Sequence, residues 1–274
     1  MRVEDLLVFG KSHCHSTHAK ILLAELLNRN PLELLLYLDE IVEEDKVELY
    51  KKEILALEEG KPLQYILGYI NFYGIRYKID ERCLIPRFET EELVEKTIEK
   101  INKYFNYPID IIDLGCGSGV IGLTLEQKVE TNSIDCVDIS KDACNLAKEN
   151  KELLNSNANI IESDFFQNIS KKYDVIISNP PYIREDEEIE QIVKDNEPEI
   201  ALYGGKEGLD CYEKILKDVN NYMKDRCLIA FEIGSLQRED IIKLIEKYLT
   251  NIKIEVLKDL SNRDRIIFIM KNLE

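Results

Sequence analysis

The 274-residue sequence has no apolar run as long as the roughly 18 residues that a membrane-spanning helix needs. Its N-terminus has neither the charged nor the apolar region of a signal peptide. It also has no Cys-x-x-Cys pair, and its seven cysteines are scattered along the chain. An odd number of scattered cysteines is typical of reduced thiols in an intracellular protein. We therefore expect a cytoplasmic protein that is not anchored in a membrane.

Basic residues are scarce relative to acidic ones. The chain has 36 Lys and Arg against 53 Asp and Glu, a formal net charge of −17. This balance argues against a partner held mainly through phosphate contacts, because such binding depends on clustered Lys and Arg. We expect no stable nucleic-acid complex, although a nucleic acid as substrate stays open at this point.

The chain length and a change in sequence pattern predict two domains. Up to about Glu59 the apolar spacing is helical, and we predict a small helical bundle as an N-terminal domain of residues 1–70. Ser16 and Thr17 are candidate N-caps of one helix, and Pro31 suits the first turn of the next. The predicted helices are Ala19–Leu27, Leu32–Leu38 and Asp45–Leu57.

A β-hairpin is predicted to connect this bundle to the rest of the chain. Between Phe72 and Ile79 the residues are aromatic or β-branched and alternate roughly with polar ones, which is typical of short strands. We assign residues 71–85 to this connector.

Residues 86–274 show strands that alternate with helices. This order predicts an α/β fold with a doubly wound, seven-stranded sheet. The predicted strands are Ile109–Leu114, Ile134–Asp138, Asn159–Glu162, Val175–Ser178, Leu228–Ile233, Ile252–Leu257 and Arg265–Met270. The predicted helices are Glu89–Lys103, Val120–Gln127, Lys141–Leu154, Leu209–Met223 and Arg238–Tyr248, and residues 184–190 read as an acidic loop.

Such a sheet binds its ligand beyond the carboxyl ends of its strands, so the residues at those ends are the candidates for function. The first strand leads into Asp113-Leu114-Gly115-Cys116-Gly117-Ser118-Gly119. Alternating glycines permit a sharp turn close to a ligand. The third glycine comes one residue too early for the dinucleotide fingerprint, and Asp113 would repel a pyrophosphate. A cationic nucleoside without phosphate, S-adenosylmethionine, fits this loop better, with a plain tight turn as the alternative.

The next two strands end in acidic residues. Asp138 follows the second strand, where this architecture hydrogen-bonds ribose hydroxyls; the alternative is an acid at a helix N-terminus, a position that Ser140 shares. After the third strand, Phe165 is placed to flank an adenine ring and Asp164 to accept from its amino group. Core packing of Phe165 is an equal alternative.

The fourth strand ends in Asn179-Pro180-Pro181-Tyr182, which is the most informative motif. The two prolines remove N–H donors and stiffen the loop, which leaves carbonyl acceptors at the site. The Asn179 side-chain oxygen and the Pro180 carbonyl suit the two hydrogens of a planar NH2 group, with Tyr182 as a wall. The motif therefore predicts nitrogen methylation of an amide or an aromatic amine, with a coincidental turn as the alternative.

These two motifs resemble those of nitrogen-directed methyltransferases, which have a Rossmann-like sheet. Further segments are similar to those of one branch, the release factor glutamine methyltransferases, and the similarity covers essentially the whole chain in the same order. Phe88 stands where that branch usually has proline, and Asn262 where glycine is common. The segments are Pro62–Gly68, Leu84–Glu91, Glu197-Pro198, Ala201–Gly205, Glu207–Asp210, Glu232–Gly234 and Asp259–Arg265.

The resemblance implies an S-adenosylmethionine-dependent enzyme that methylates the side-chain amide of the glutamine in the Gly-Gly-Gln motif of class-1 release factors. It also implies that the N-terminal helices recognise the substrate; separately, we expect a monomer. Transferred onto this sequence, Asn179, Pro180 and Tyr182 are the catalytic residues, and Asn179–Tyr182 hold the substrate. The implied cofactor-binding residues are Asp113, Leu114, Gly115, Cys116, Gly117, Asp138, Phe165 and Asn179.

Beside the glutamine methyltransferase, two alternative functions remain open from the residues alone, and one candidate metal site has to be considered. An adenine methyltransferase acting on nucleic acid uses the same Asn-Pro-Pro-Tyr chemistry, but it usually needs a basic surface, and residues 1–85 are themselves acidic. A non-catalytic cofactor-binding subunit would be expected to have a degraded Asn179–Tyr182 loop. His13, Cys14, His15 and His18 match no common zinc-site spacing, so we expect no metal.

Overall fold

The computed structural model describes residues 1–273 and divides into two compact units. The first comprises Met1–Tyr69 together with Glu190–Asn196. The second comprises Ile70–Ile189 and the chain from Glu197 onward. Each unit has its own apolar core.

The first unit is a helical bundle. Its helices are α1 (Val3–His13), α2 (Ser16–Leu26), α3 (Glu44–Glu58) and α4 (Leu63–Leu67), and α8 (Gln191–Asn196) joins it from later in the chain. Gly10 allows close packing here, since a Cβ at Gly10 would lie 2.2 Å from the Tyr50 hydroxyl. That buried hydroxyl donates to the Ala19 carbonyl at 3.2 Å, so it is satisfied inside the core.

Two predictions for this unit are wrong. The N-cap of α2 is His15, whose Nδ1 accepts from the Thr17 N–H at 3.3 Å, and not Ser16 or Thr17. The predicted helix Leu32–Leu38 is only a short 3-10 turn, Leu34–Leu36. The Asn30 side chain accepts from the Leu32 N–H at 2.9 Å and forms a turn that competes with a helix, and of the three leucines in the turn only Leu34 is buried.

The second unit contains a seven-stranded sheet, as predicted. The strands are β3 (Ile109–Leu114), β4 (Thr131–Asp138), β5 (Asn159–Glu162), β6 (Tyr173–Ser178), β7 (Met223–Glu232), β8 (Lys253–Lys258) and β9 (Asp264–Lys271). They lie in the order β5-β4-β3-β6-β7-β9-β8, and β9 runs antiparallel to β7 and to β8. The strand order reverses at β3, between β4 and β6, so the crevice at their carboxyl ends is the place where such a sheet binds ligands.

Helices lie between the strands at nearly the predicted positions. They are α5 (Phe88–Tyr104), α6 (Val120–Lys128), α7 (Lys141–Leu153), α9 (Asp210–Asp218) and α10 (Arg238–Tyr248). The predicted helix Leu209–Met223 is too long: α9 ends at Asp218, a 3-10 turn follows, and Met223 already belongs to β7. Strand β6 is buried along its whole length and β3 at every residue except the partly buried Asp110, because their apolar residues are covered on both faces.

The predicted hairpin is also present. Strands β1 (Tyr69–Phe72) and β2 (Ile75–Lys78) form a separate two-stranded sheet. The buried Asn150 side chain of α7 accepts from the Lys78 N–H at 2.7 Å and donates to the Ser118 carbonyl at 2.9 Å. Asn150 thereby joins the hairpin to the glycine loop after β3.

Among residues 1–273, none of the helices combines the length and the apolar character that crossing a membrane requires.

Candidate active site

A cavity of about 340 Å³ lies at the carboxyl ends of β3, β4, β5 and β6. This volume is in the range of small-molecule sites. Its wall includes six of the predicted site residues that the sheet topology brings together from separate parts of the sequence. They are Gly115, Cys116, Gly117, Asp138, Phe165 and Asn179, and Pro181 adds a seventh.

The glycine loop is held by hydrogen bonds to the neighbouring strand β4. The N–H groups of Gly115 and Cys116 donate to the Val137 carbonyl at 2.8 and 2.9 Å, and that of Gly117 donates to Asp138 Oδ2 at 2.8 Å. Gly115 has φ of +72° and Gly117 of +54°, a backbone region that favours glycine. Because these three N–H groups are already engaged, they do not form a phosphate cradle, which agrees with a cofactor that lacks phosphate.

Asp113 and Leu114 lie behind the cavity wall. The Asp113 side chain is fully buried and does not line the cavity. Its Oδ2 accepts from the Gly122 N–H at the start of α6 at 2.9 Å, and Oδ1 has no hydrogen-bond partner in residues 1–273. Burial raises the pKa of Asp113 to about 7, against the Gly122 hydrogen bond, which lowers it. The sequence predicts that both residues contact the cofactor directly. The structure instead places them behind the cavity wall, where they support the glycine loop.

Asp138 lies in the wall at the end of β4 with a fixed orientation. Its Oδ2 holds Gly117, and its Oδ1 accepts from the Ser140 N–H at 2.8 Å. Burial raises the pKa of this carboxyl, while the backbone N–H groups around it oppose the shift. Each carboxylate oxygen retains acceptor capacity, so the pair presents two acceptors to a ribose diol. Ser140 caps α7 by accepting from the Ala143 N–H at 3.2 Å, as the alternative interpretation of this segment expected.

The position of Phe165 is compatible with both alternatives that the sequence left open. It lines the cavity, and it also packs against the core of the second unit. Its φ of +47° is unusual for a residue other than glycine, and such strain concentrates at functional sites. Neighbouring Asp164 also lines the cavity and is ion-paired with Lys214 of α9 through Oδ2, which leaves Oδ1 as an acceptor for an adenine amino group.

Asn179 follows β6 directly, and its side chain is held from behind. Its Nδ2 donates to Thr90 Oγ1 at 3.2 Å, and the Thr90 hydroxyl donates to Glu232 Oε2 at 2.7 Å. Asn179 Oδ1 accepts no hydrogen bond from any residue in the described range 1–273. Since Asn179 lines the cavity, the site has an amide oxygen available as an acceptor.

The rest of the Asn-Pro-Pro-Tyr loop is braced by the second unit. The Tyr182 hydroxyl donates to Glu232 Oε1 at 3.3 Å, and Gln237 Nε2 donates to the Tyr182 carbonyl at 2.9 Å. Pro181 lines the cavity, whereas Pro180 is buried and Tyr182 packs against the core. Tyr182 therefore supports the loop from beneath, which differs from its predicted place as a wall of the cavity.

The two cationic side chains in the cavity wall are already paired with carboxylates. Arg82 bonds Asp80 at 2.6 Å and Glu149 at 2.7 Å, and Lys214 pairs with Asp164. A pyrophosphate would compete with these carboxylates for both cations. The cavity therefore suits a ligand with hydroxyl and amine donors and an aromatic ring, which are features of S-adenosylmethionine.

The histidine segment lies in the first unit and has structural contacts. His13 Nδ1 lies 2.9 Å from Glu58 Oε2, and His15 caps α2. Within residues 1–273, no three His, Cys, Asp or Glu side chains are grouped so that they could hold a metal ion.

Sequence reasoning gave no role to Thr90, Glu232 or Gln237. Each contacts the Asn-Pro-Pro-Tyr loop across a long sequence separation, 89 residues for Thr90 and Asn179 and 55 for Gln237 and Tyr182. The sequence signals for Glu232 are its place in the resembling segment Glu232–Gly234 and its position directly after the apolar run Leu228–Phe231, and the structure buries it fully. Burying a charge of this kind costs free energy unless it is hydrogen-bonded, so the burial of Glu232 indicates a specific hydrogen-bonding role.

The chain is similar to known proteins over most of its length. The chain matches the family models "PrmC N-terminal domain" over residues 15–68 and "Methyltransferase small domain" over residues 95–196. It is 34% identical to the release factor glutamine methyltransferase of Bacillus cereus, covering 98% of this chain and 99% of the relative. It is 40% identical to the protein of that name from Streptococcus pneumoniae, covering 84% and 82%.

Among solved structures, the fold is similar to that of the T. thermophilus 16S rRNA N2 G1207 methyltransferase in complex with AdoMet and guanosine. The TM-score is 0.55 at 14% identity, over 74% of this chain and 50% of that one. At this identity the likeness concerns the fold alone.

Proposed function

The chain belongs to the release factor glutamine methyltransferase family, and from this premise we propose that it methylates the side-chain amide nitrogen of the glutamine in the Gly-Gly-Gln motif of class-1 release factors. It is an S-adenosylmethionine-dependent protein methyltransferase. The observation that carries the finer proposal is Asn179, whose Nδ2 is anchored to Thr90 while its Oδ1 is available at the cavity.

A primary amide is a poor nucleophile because its lone pair is delocalised into the carbonyl group. In this proposal Asn179 Oδ1 at the cavity and the carbonyl of the adjacent Pro180, whose ring is buried, accept the two N–H hydrogens of such an amide. Accepting both bonds moves electron density back toward the nitrogen and directs the nitrogen lone pair toward the methyl group. The proline at position 181 has no N–H that would compete for these acceptors.

When bound, S-adenosylmethionine supplies an electrophilic methyl group on a sulfonium. The residues of the chain hold and orient the two reactants. Asp138 accepts from the ribose, the glycine loop supports the nucleoside, and Asn179 positions the amide. Holding reactants in attack geometry is worth about 7–11 kcal/mol of the barrier.

A dedicated base is not required for this reaction. Of the described residues that line the cavity, none is a histidine, and Lys214 is paired with Asp164. The nitrogen becomes strongly acidic as it is methylated, so water suffices to take the proton.

The adenine alternative shares the Asn179–Tyr182 chemistry, but the relatives favour the protein substrate. Two of them are named release factor glutamine methyltransferases and match this chain over most of both lengths. The net charge of −17 also disfavours a polyanionic substrate.

The partners follow from the same proposal. We propose that the first unit recognises the release factor, that the enzyme is a cytoplasmic monomer, and that it forms no stable complex with nucleic acid. Size-exclusion chromatography with light scattering tests the monomer, and a gel-shift assay with duplex DNA or RNA tests the last point. A dimer mass or a salt-resistant shifted band would contradict these assignments.

Labelled S-adenosylmethionine and three acceptors test the substrate. The acceptors are a class-1 release factor, its Gln→Ala variant in the Gly-Gly-Gln loop, and an adenine-containing duplex. We expect label on the first acceptor only. Label on the duplex but not on the release factor would reverse the assignment.

Replacement of Asn179 tests the site. Asn179→Ala should abolish turnover, because the amide loses the acceptor that activates it, while cofactor affinity measured by calorimetry should fall only modestly. Asn220→Ala is a matched control, since that exposed amide donates only to the Tyr248 carbonyl, and it should retain turnover. Turnover retained by Asn179→Ala would contradict the proposed role of the loop.

A further inference from the structure

Thr90 and Glu232 form a hydrogen-bonded chain behind Asn179 that goes beyond the residues assigned above. Thr90 lies in the first turn of α5 and is 2% exposed, and Glu232 is the last residue of β7 and is 1% exposed. The two side chains come from elements far apart in sequence and meet directly beneath the substrate loop. Burying a carboxylate and a hydroxyl costs free energy unless both are hydrogen-bonded, so packing alone does not explain these two residues.

The hydrogen-bond directions in this chain are determined by the number of available hydrogens. An ionised carboxylate only accepts, so the single hydroxyl hydrogen of Thr90 goes to Glu232. The Thr90 oxygen then accepts, and only the NH2 end of the Asn179 amide can donate to it. The amide is thereby prevented from rotating by half a turn, a rotation that would present NH2 instead of oxygen at the cavity.

We propose that Thr90 and Glu232 are positioning residues that fix the orientation of the Asn179 amide, so that its oxygen accepts from the substrate NH2 group. This inference rests on the proposed role of Asn179. Tyr182 takes part in the same arrangement, because its hydroxyl donates to the other Glu232 oxygen at 3.3 Å. One buried carboxylate thus orients both ends of the Asn179–Tyr182 loop.

The charges around Glu232 make the orientation dependent on pH. Burial raises the pKa of Glu232 to about 7, and half-buried Glu89 also raises it, while the Thr90 and Tyr182 hydroxyls and Arg265 lower it. Arg265 of β9 donates to the Ile233 carbonyl, and the Tyr212 hydroxyl of α9 donates to the Glu232 carbonyl. When Glu232 takes up a proton it can donate to Thr90, whose hydrogen is then free to turn toward Asn179 and favour the inverted amide.

Paired variants of Thr90 test this inference. Thr90→Val keeps the shape but removes the hydroxyl, and we expect kcat to fall about 10- to 100-fold, the effect of losing a charge-assisted hydrogen bond. KM for the release factor and the cofactor dissociation constant should change less than about threefold. Thr90→Ser restores the hydroxyl and should recover most of kcat. Thr97→Val is the matched control, because Thr97 is buried in the same helix but donates only to the Leu93 carbonyl, and it should leave kcat unchanged.

The pH profile gives a readout that a merely structural role would not alter. Wild-type kcat should fall as the pH decreases through about 7, where Glu232 takes up its proton. This acidic limb should be absent in Thr90→Val and in Glu232→Gln, whose side chain does not titrate. If Thr90→Val does not fold, the profile of Glu232→Gln decides alone.

Two results would overturn the inference: a wild-type kcat in Thr90→Val, or an unchanged acidic limb in Glu232→Gln. Failure of the proposed function is distinguishable from these results, because it would appear as activity in Asn179→Ala. If Asn179→Ala is inactive while Thr90→Val is fully active, the proposed function stands and the positioning role of Thr90 is refuted.

Discussion

Replacing Asp113 with asparagine should make the free energy of unfolding less dependent on pH. The Asp113 side chain is fully buried, and Oδ1 has no partner among residues 1–273. Burial raises its pKa from 3.8 to about 7. A carboxyl whose pKa is higher in the folded than in the unfolded state stabilises the protein fully only below the unfolded pKa. That stabilisation is lost as the pH rises through the folded pKa.

The magnitude follows from these two pKa values. Each tenfold difference in proton affinity corresponds to about 1.4 kcal/mol, so the whole effect is about 4 kcal/mol. Integrated between pH 5 and pH 8, it is about 3 kcal/mol. Between pH 5 and pH 8 the wild type should therefore lose about 3 kcal/mol of unfolding free energy that Asp113→Asn does not lose. A constant cost of placing an amide beside Gly122 cancels in this difference.

Urea unfolding followed by circular dichroism at pH 5, 6, 7 and 8 measures this change. The chain has no tryptophan, which makes circular dichroism preferable to fluorescence. Asp135→Asn is the control. Asp135 is also buried, but it lies 3.0 Å from Lys171, so this variant should have a lower free energy of unfolding than wild type at every pH in the range. A difference between Asp113→Asn and wild type that stays constant from pH 5 to pH 8 would refute the reasoning.

Two further predictions concern the cavity. Asp138→Asn should raise the cofactor dissociation constant about 10- to 100-fold, because one acceptor for the ribose and the glycine loop is lost; calorimetry measures this, and an unchanged constant would exclude the contact. Gly204→Ala should reduce kcat at least about tenfold, because its Cβ would lie 2.4 Å from the Pro181 carbonyl oxygen and push the substrate loop aside. Gly74→Ala, which has φ of +77° but nothing within 4 Å of its Cβ, should cost about 1 kcal/mol of stability without lowering kcat; equal turnover in the two variants would contradict this placement.

The sequence was sufficient for the sheet and for the residues at its strand ends. Asp138 and Asn179 each follow a short apolar strand, and parallel strands of one sheet end at one edge, so their meeting at the cavity is a consequence of topology. The blocked N–H groups of Gly115 and Gly117 support the expectation of a cofactor without phosphate.

The sequence was not sufficient for what lies behind the cavity wall. The contact of Thr90 with Glu232 joins residues 142 positions apart, and no local pattern encodes such a pair. The direction of the Asp113 side chain depends on the start of α6, which accommodates its carboxylate beneath the loop. In the first unit, the leucine-rich stretch after Pro31 has helical spacing, but its side chains are largely exposed and a turn at Asn30 prevents the helix.

The chemical position of the transferred methyl group tests the central claim most directly. A release factor methylated with labelled S-adenosylmethionine is hydrolysed in acid, the hydrolysate is made alkaline so that amines become volatile, and the small labelled product is identified. Transfer to the side-chain amide nitrogen of glutamine predicts labelled methylamine in an amount equal to the label incorporated, and none from the Gln→Ala release factor. Labelled methanol, which indicates methyl transfer to a carboxylate oxygen, or label that persists in the Gln→Ala protein would contradict the account.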